Sequence, residues 1–264
     1  MRRAVAVAVS TVLIPSAFAL SACSSAASPS PAAGKSAASG ASATTAAAPT
    51  TQAATNAGLT RAEVNAAINT AANAATALHI EGSMDSGGQA VSMNLQLNQH
   101  SASGSITESG LTIPIIAVGS DAYIEFTSSL IAQFAQSSSP AVDKLLLNKW
   151  VSSTSQLGSS LASSLSVFMS LSGFVGQMAS TPSQLTADGT ATVDGQLVAN
   201  YIEKDTTSSP VTTELMSIAA SGPALPVKEV GLGTGNSGSI SFTWNQPTTV
   251  TAPPASEIYS GPGA

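Results

Sequence analysis

Val91-Ser92-Met93-Asn94-Leu95-Gln96-Leu97 alternates apolar and polar side chains without a break. That period of two marks a strand with one buried face and one wet face. The pattern spreads outward from there. Upstream, 79–82 leads into a Ser86-Gly87-Gly88 turn. Downstream, 101–108 alternates weakly, 111–118 is strongly apolar apart from Thr112, and 121–126 follows the Gly119-Ser120 pair. Short strands separated by turn residues predict an antiparallel meander with one buried face. Pro114 has no amide proton to donate, which predicts an edge or a bulge at that point.

The same period returns from Gln184. Thr190 to Val193 and Gln196 to Ile202 flank Asp194-Gly195, a pair suited to a tight hairpin. Further strands are expected over 224–230 and 239–244, connected through Gly231-Leu232-Gly233-Thr234-Gly235. Glu214 to Ala220 reads as one or two helical turns. The last twenty residues hold four prolines and read as a wrapped tail.

Helical spacing occupies the remainder. Leu59-Thr60-Arg61-Ala62-Glu63 is a capping box, with Leu59 placed to staple against Val64. Val64, Ile68, Ala71, Ala72, Ala75 and Leu78 then form a stripe that predicts a helix to about Leu78. Between the meanders, about 127–180 is expected to be a mainly helical insert. Leu130, Ile131, Phe134 and Ala135 cluster first, and Pro140 opens a second short helix through Leu147. Leu157, Leu161, Leu165, Phe168, Leu171, Val175 and Met178 mark a longer helical stripe with serines opposite. Antiparallel strands with one apolar face, covered by helices, make an α+β layer. The two meanders can join one large curved sheet or form two small domains, and no polar linker divides them after residue 57.

The chain opens differently. Arg2-Arg3 precedes an apolar stretch of 17 residues from Ala4 to Leu20, ending at Leu20-Ser21-Ala22-Cys23. A charged start, an apolar run and small residues describe a secretory signal, and the run is shorter than the ~20 residues that cross a bilayer. Leu-Ser-Ala-Cys is similar to the lipobox of bacterial lipoproteins. That resemblance implies cleavage after residue 22, lipid on Cys23 (palmitate among the acyl groups) and attachment at the extracytoplasmic face of the cell membrane. The alternative is a plain secretory signal followed by a free thiol. The expected organisation is a signal peptide over 1–22, a lipid-anchored tether over 23–57 and a single domain over 58–264. Ser24 to Asn56 is nearly all Ala, Ser, Thr, Pro and Gly, and as a coil of ~33 residues it would reach about 30–35 Å.

Removing Arg2 and Arg3 leaves six basic residues against 14 acidic ones. Such a balance argues against nucleic acid, whose binding needs clustered Lys and Arg. It also removes any polybasic attachment to lipid headgroups. Cys23 is the only cysteine, so the folded part has no disulfide to rely on.

Catalytic chemistry is hard to find. No Gly-x-Ser-x-Gly elbow and no Ser-x-x-Lys pair occurs. His79 and His100 are the only imidazoles, one at a helix-to-strand boundary and one in a polar turn, and both read as structural or solvated. No histidines are paired at helical spacing, and the acidic residues are spread thinly with no calcium-loop pattern. Asp121 and Glu125 share one side of a strand, read as a solvated face. The 231–235 loop lacks the lysine and hydroxyl of a phosphate loop. Trp150 and Trp244 are expected in the core or at its rim. No metal, cofactor or catalytic residue is assigned.

Leu20-Ser21-Ala22-Cys23, the helix leading into Leu78-His79-Ile80-Glu81-Gly82, and Gly119-Ser120-Asp121-Ala122-Tyr123-Ile124 resemble the LppX/LprA/LprF/LprG family of actinobacterial lipoproteins, within the LolA/LolB-like superfamily. Lys149-Trp150-Val151 and Val193-Asp194-Gly195-Gln196 also fit its pattern. The resemblance spans about 58–250. It implies a half-barrel of antiparallel strands with helices on the concave face and, in some members, a cavity for acylated lipid. The leading expectation is therefore a non-enzymatic, membrane-anchored carrier of an apolar ligand such as an acylated lipid or glycolipid. Leu161, Leu165, Phe168 and Val175 are the expected pocket lining. The alternative is an envelope interaction or assembly protein with a solid core and an unknown protein partner, and a hydrolase is the minor alternative.

Overall fold

A computed structural model describes residues 54–86, 89–134, 140–180, 184–205, 212–233 and 236–261. The signal segment, Cys23 and most of the tether lie outside the described residues. One antiparallel sheet of 11 strands carries the fold. The first meander is β1 (Ala77–Ser86), β2 (Gln89–Asn98), β3 (Ser101–Glu108), β4 (Leu111–Val118) and β5 (Asp121–Glu125). The second is β7 (Leu185–Val193), β8 (Gln196–Asp205), β9 (Thr212–Ala219), β10 (Pro226–Gly231) and β11 (Asn236–Trp244). A short β6 (Trp150–Ser152) pairs with β5. The order β6-β5-β4-β3-β2-β1-β11-β10-β9-β8-β7 joins both meanders through β1 and β11. Both meanders therefore share one sheet. Because β6 and β7 are both edges, the sheet is an open half-barrel.

The period of two becomes cross-strand rows on the concave face. Phe242, Ile80, Leu95, Gly104, Ile115, Ile124 and Val151 are register partners in sequence across the sheet. Ile80, Leu95, Ile115 and Ile124 are fully buried, each contributing roughly 1.5–3 kcal/mol of burial. Curvature is built into the same face. Gly82 (φ 148°) and Gly104 (φ 136°) sit mid-strand in the left-handed half of backbone space. A Cβ there would strike the carbonyl oxygens of Ser239 and Asn94 respectively, so only glycine lets the neighbouring strands approach so closely.

Pro114 lies within an interior strand, in unbroken register with β3. It escapes the usual penalty because the β4–β5 ladder ends at Ile115 and Ile124, one residue short of the proline. The Thr127 hydroxyl caps the gap by donating to the Thr112 carbonyl at 3.2 Å.

Helices cover the concave side: α1 (Arg61–Asn73), α2 (Ser128–Phe134), α3 (Pro140–Leu146), α4 (Gly158–Ser164) and α5 (Leu171–Ser180). The capping box at Thr60 and Glu63 is present, with Glu63 Oε2 accepting the Thr60 amide at 2.8 Å. Two helical expectations need correction. α1 stops at Asn73, since Leu78 is claimed by register with both Leu97 and Trp244. The long stripe from Leu157 to Met178 is three pieces, α4, a 3-10 turn (Ser166–Met169) and α5. Ser170 breaks it by adopting extended backbone (φ −161°, ψ 157°) while its hydroxyl accepts the Gly173 amide at 3.1 Å. A third correction concerns Glu214 to Ala220, which is strand β9, paired on both sides. Good helix formers there yield to tertiary pairing.

The C-terminal tail does wrap the domain. Asn98 Nδ2 donates to the Thr248 carbonyl at 2.9 Å, Ile258 bridges Trp150, and the Tyr259 amide donates to the Trp150 carbonyl at 2.8 Å. The tail thus covers the open edge at β6.

Candidate functional site

The concave face and its helical layer hold the four residues expected to line a pocket. Leu161 on α4 and Val175 on α5 are buried, at 8% and 2% exposure. Leu165 and Phe168, at the α4–3-10 junction and in the 3-10 turn, are partly buried against the same core. The Phe168 and Phe174 rings meet at 6.4 Å with a 42° tilt, within the range where edge-tilted aromatics attract. Around them lies a collar of partly buried apolar side chains. Val91, Met93, Leu111 and Ile113 come from the sheet, and Ile131, Val142, Leu157, Val167 and Met169 from the helical insert. The 3-10 turn touches β2, β3 and β4, so the collar surrounds the place where the helical chain is in its 3-10 turn.

A cavity of about 350 Å³ opens beside this layer. Its walls are the β4–β5 turn at Gly119 and Ser120 with Asp121, then Ala117, Ala122, Ser153, Ser159, Ser163, Ser166 and Met169. None of the four expected lining residues is among its walls, though Ala162 next to Leu161 is. Many of its hydroxyls are already engaged by the backbone, as where Ser163 Oγ donates to the Ser159 carbonyl at 2.8 Å. The cavity is therefore a small opening of mixed lining, serines and Asp121 beside alanines and Met169, next to an apolar interior.

The residues considered for catalysis are dispersed. His79 lies opposite Gln96 and Thr243 on the outward alternation, its Nε2 3.3 Å from Asn94 Oδ1. His100 occupies the exposed β2–β3 turn. Trp244 packs at the rim of the core and donates its Nε1 proton to the Pro226 carbonyl at 2.7 Å.

The fold also assembles a group that the linear order scatters. Glu203 and Glu214 are direct cross-strand partners on β8 and β9, and Glu229 on β10 stands on the same face one pair away. One carboxylate oxygen from each lies within 4.8 Å of the others. Burial pushes the Glu229 carboxyl well above the ordinary carboxylate range, and its hydrogen bond to Glu214 and the charges of Glu214 and Glu203 add to that. Asn236 donates from Nδ2 to the Thr213 carbonyl at 2.9 Å and to Glu214 Oε1 at 3.3 Å. No sequence signal marks this group, because 214–220 reads as helix and only the pairing of β8, β9 and β10 brings the three glutamates together.

No family model matches the chain, and no curated protein matches it. Among solved structures, the chain is similar to the lipoprotein LppX of Mycobacterium tuberculosis, at 16% identity and TM-score 0.44, over 73% of this chain and 100% of that one. It is similar to LprF of Mycobacterium bovis at 11% identity and TM-score 0.45, over 73% of this chain and 96% of that one. An uncharacterized conserved protein of Thermus thermophilus is similar at 8% identity and TM-score 0.38, over 75% and 96%.

Proposed function

We propose that this chain is an extracytoplasmic lipoprotein, lipidated on Cys23, that binds or carries an apolar ligand between its helical layer and its curved sheet. One observation carries the reading: a collar of partly buried apolar side chains under a cover built from short, interrupted helical pieces. A continuous helix would seal such a face, whereas α4, the 3-10 turn and α5 can shift as separate segments. An acyl chain is the ligand chemistry that fits, because it removes apolar surface from water without asking for polar partners. Phe168 and Leu165 sit in the interrupted stretch and are assigned the first contacts with the chain. Leu161 and Val175 form the floor beneath them.

The test is chemical. Full-length protein exported in an actinobacterial host is fed an acyl-chain probe, and label on the wild type but not on Cys23→Ala supports the anchor. The Cys23→Ala protein, purified without detergent, is then weighed by native mass spectrometry. A stoichiometric lipid that is lost in Phe168→Asp, with folding retained, supports the carrier. A folded, empty protein that refuses added acyl lipids sinks it. The second reading, an envelope interaction protein, draws on Leu145 and Leu147, which are 55% and 44% exposed at the end of α3. Crosslinking lost on Leu145→Ser with lipid content unchanged would favour that reading.

A further inference from the structure

The geometry points to a calcium-binding site on the concave face of β8–β10, built by Glu203, Glu214 and Glu229 with the Asn236 amide oxygen as a fourth ligand.

Like charges directly opposite on neighbouring strands destabilise a sheet, yet Glu203 faces Glu214 across the β8–β9 ladder. A third carboxylate, Glu229, joins them on the same face, flanked in register by Met216 and Ile240. Three acidic groups converge within 4.8 Å on this face, so one divalent cation could take an oxygen from each.

Asn236 supplies the second observation. It is 3% exposed, and its Oδ1 is buried without a hydrogen-bond partner. The orientation of the amide is fixed, because its Nδ2 faces two acceptors, the Thr213 carbonyl and Glu214 Oε1. Oδ1 sits over Gly231, where a side chain would begin 3.0 Å from it. Gly231 is the register partner of Glu214 and lies two residues from Glu229 on the same face. The orphaned oxygen therefore stands beside the carboxylates, on their side of the sheet. Buried carbonyl oxygens are rarely left unmatched, and a bound cation would match this one.

The donor set selects the metal. All four ligands are hard oxygens, with no imidazole or thiolate, which disfavours zinc and copper. Calcium accepts irregular sets of 6–8 oxygens at 2.3–2.6 Å, including bidentate carboxylates, with waters completing the shell. Magnesium demands a near-ideal octahedron at 2.0–2.1 Å, a poor match for ligands held by three rigid strands and one amide. Three carboxylates leave the occupied site with about one net negative charge, appropriate for the weak affinity, on the order of 0.1–1 mM, of extracellular calcium modules.

Full-length protein, stripped with chelator, would be titrated with calcium chloride and separately with magnesium chloride at constant ionic strength. Thermal unfolding and equilibrium dialysis with radioactive calcium are the readouts. The expected result is one equivalent of calcium bound and a melting temperature that climbs with calcium concentration, with magnesium at least tenfold weaker. The Glu203→Gln/Glu214→Gln double variant should stay folded in chelator and lose the calcium response. Asn236→Ser should retain folding and weaken calcium at least tenfold. A wild type that binds less than one equivalent at 10-fold above ~1 mM overturns the site. So does an equal response to magnesium, or a calcium response that survives in the double variant.

Discussion

Over β1–β6 the concave face presents Ile80, Leu95, Ile115 and Ile124, all fully buried with the helical insert. Over β8–β10 the same face presents Glu203, Glu214 and Glu229. A single row makes the change visible. Ile113, Ile106, Met93, Gly82 and Ile240 run apolar across the sheet, and the next partner is Glu229, followed by Met216 and Tyr201. The second region has its own small core of Val64, Ile68, Leu185, Ala199, Tyr201, Ile218 and Ala224 beneath α1. One sheet therefore serves two chemistries, an apolar interior under many helical pieces and a polar cluster beside a compact patch under one helix. Stability should come mainly from packing on the first side, and from particular polar contacts on the second.

Leu95→Ala gives the strongest break in that comparison. It removes a fully buried side chain from the large core and should cost about 2–5 kcal/mol in urea unfolding. A loss below ~1 kcal/mol would mean that the large core is loosely packed throughout. Tyr201→Phe comes next. The Tyr201 hydroxyl donates to the Asn56 carbonyl at 2.6 Å and accepts the Leu59 amide at 3.2 Å. Deleting it leaves both unsatisfied, for about 1–3 kcal/mol, while leaving any bound lipid in place. If lipid content fell together with stability, the two regions would be one unit. Thr60→Ala, which removes the cap of α1, should cost about 0.5–2 kcal/mol, and the added amide exchange should be confined to α1.

The smallest effect is on pH slope. The folded state holds the Glu229 proton to higher pH than the unfolded chain, whose carboxyl titrates near 4.5. That stabilisation is full below about pH 4.5 and drains as pH rises through the raised folded value. Glu63 acts oppositely, because its bonds to Thr60 lower its pKa, so its contribution is present above 4.5 and lost as pH falls through the lowered value. In chelator, Glu229→Gln should flatten the decline that sets in above pH 4.5 and leave the loss on the acid side untouched. An unchanged decline above pH 4.5 would remove Glu229 from the account.

Much of this arrangement is legible in the sequence where local signals and tertiary pairing agree. The Thr60 and Glu63 box, the Asp194-Gly195 hairpin and the alternation at 91–97 each name their own structure. Legibility fails where a distant partner decides. Glu214, Leu215 and Met216 favour helix on their own, and only β8 and β10 make them a strand. Ser170 is one serine among many, and nothing local shows that it alone will take extended backbone. The glutamate cluster depends on that misread strand, so it was invisible for the same reason. Residues of the helical stripe were correctly read as apolar. Their division into buried Leu161 and Val175 and half-buried Leu165 and Phe168 follows from breaks that spacing does not encode.

Asn56 sits in the stretch that composition assigns to the tether, yet it is 8% exposed. Its Nδ2 donates to the carbonyls of Ala219 and Gly222 at 2.8 and 3.0 Å, and its amide to that of Ala220 at 2.9 Å. Its own carbonyl receives the Tyr201 hydroxyl. Any pull along the chain from the N-terminal side therefore meets the fold at a four-bond clasp on the end of β9, ahead of α1. Under load the clasp is the mechanical fuse: its bonds must break before force reaches the helix, so the domain hangs from a fixed point and does not fray from its first turn.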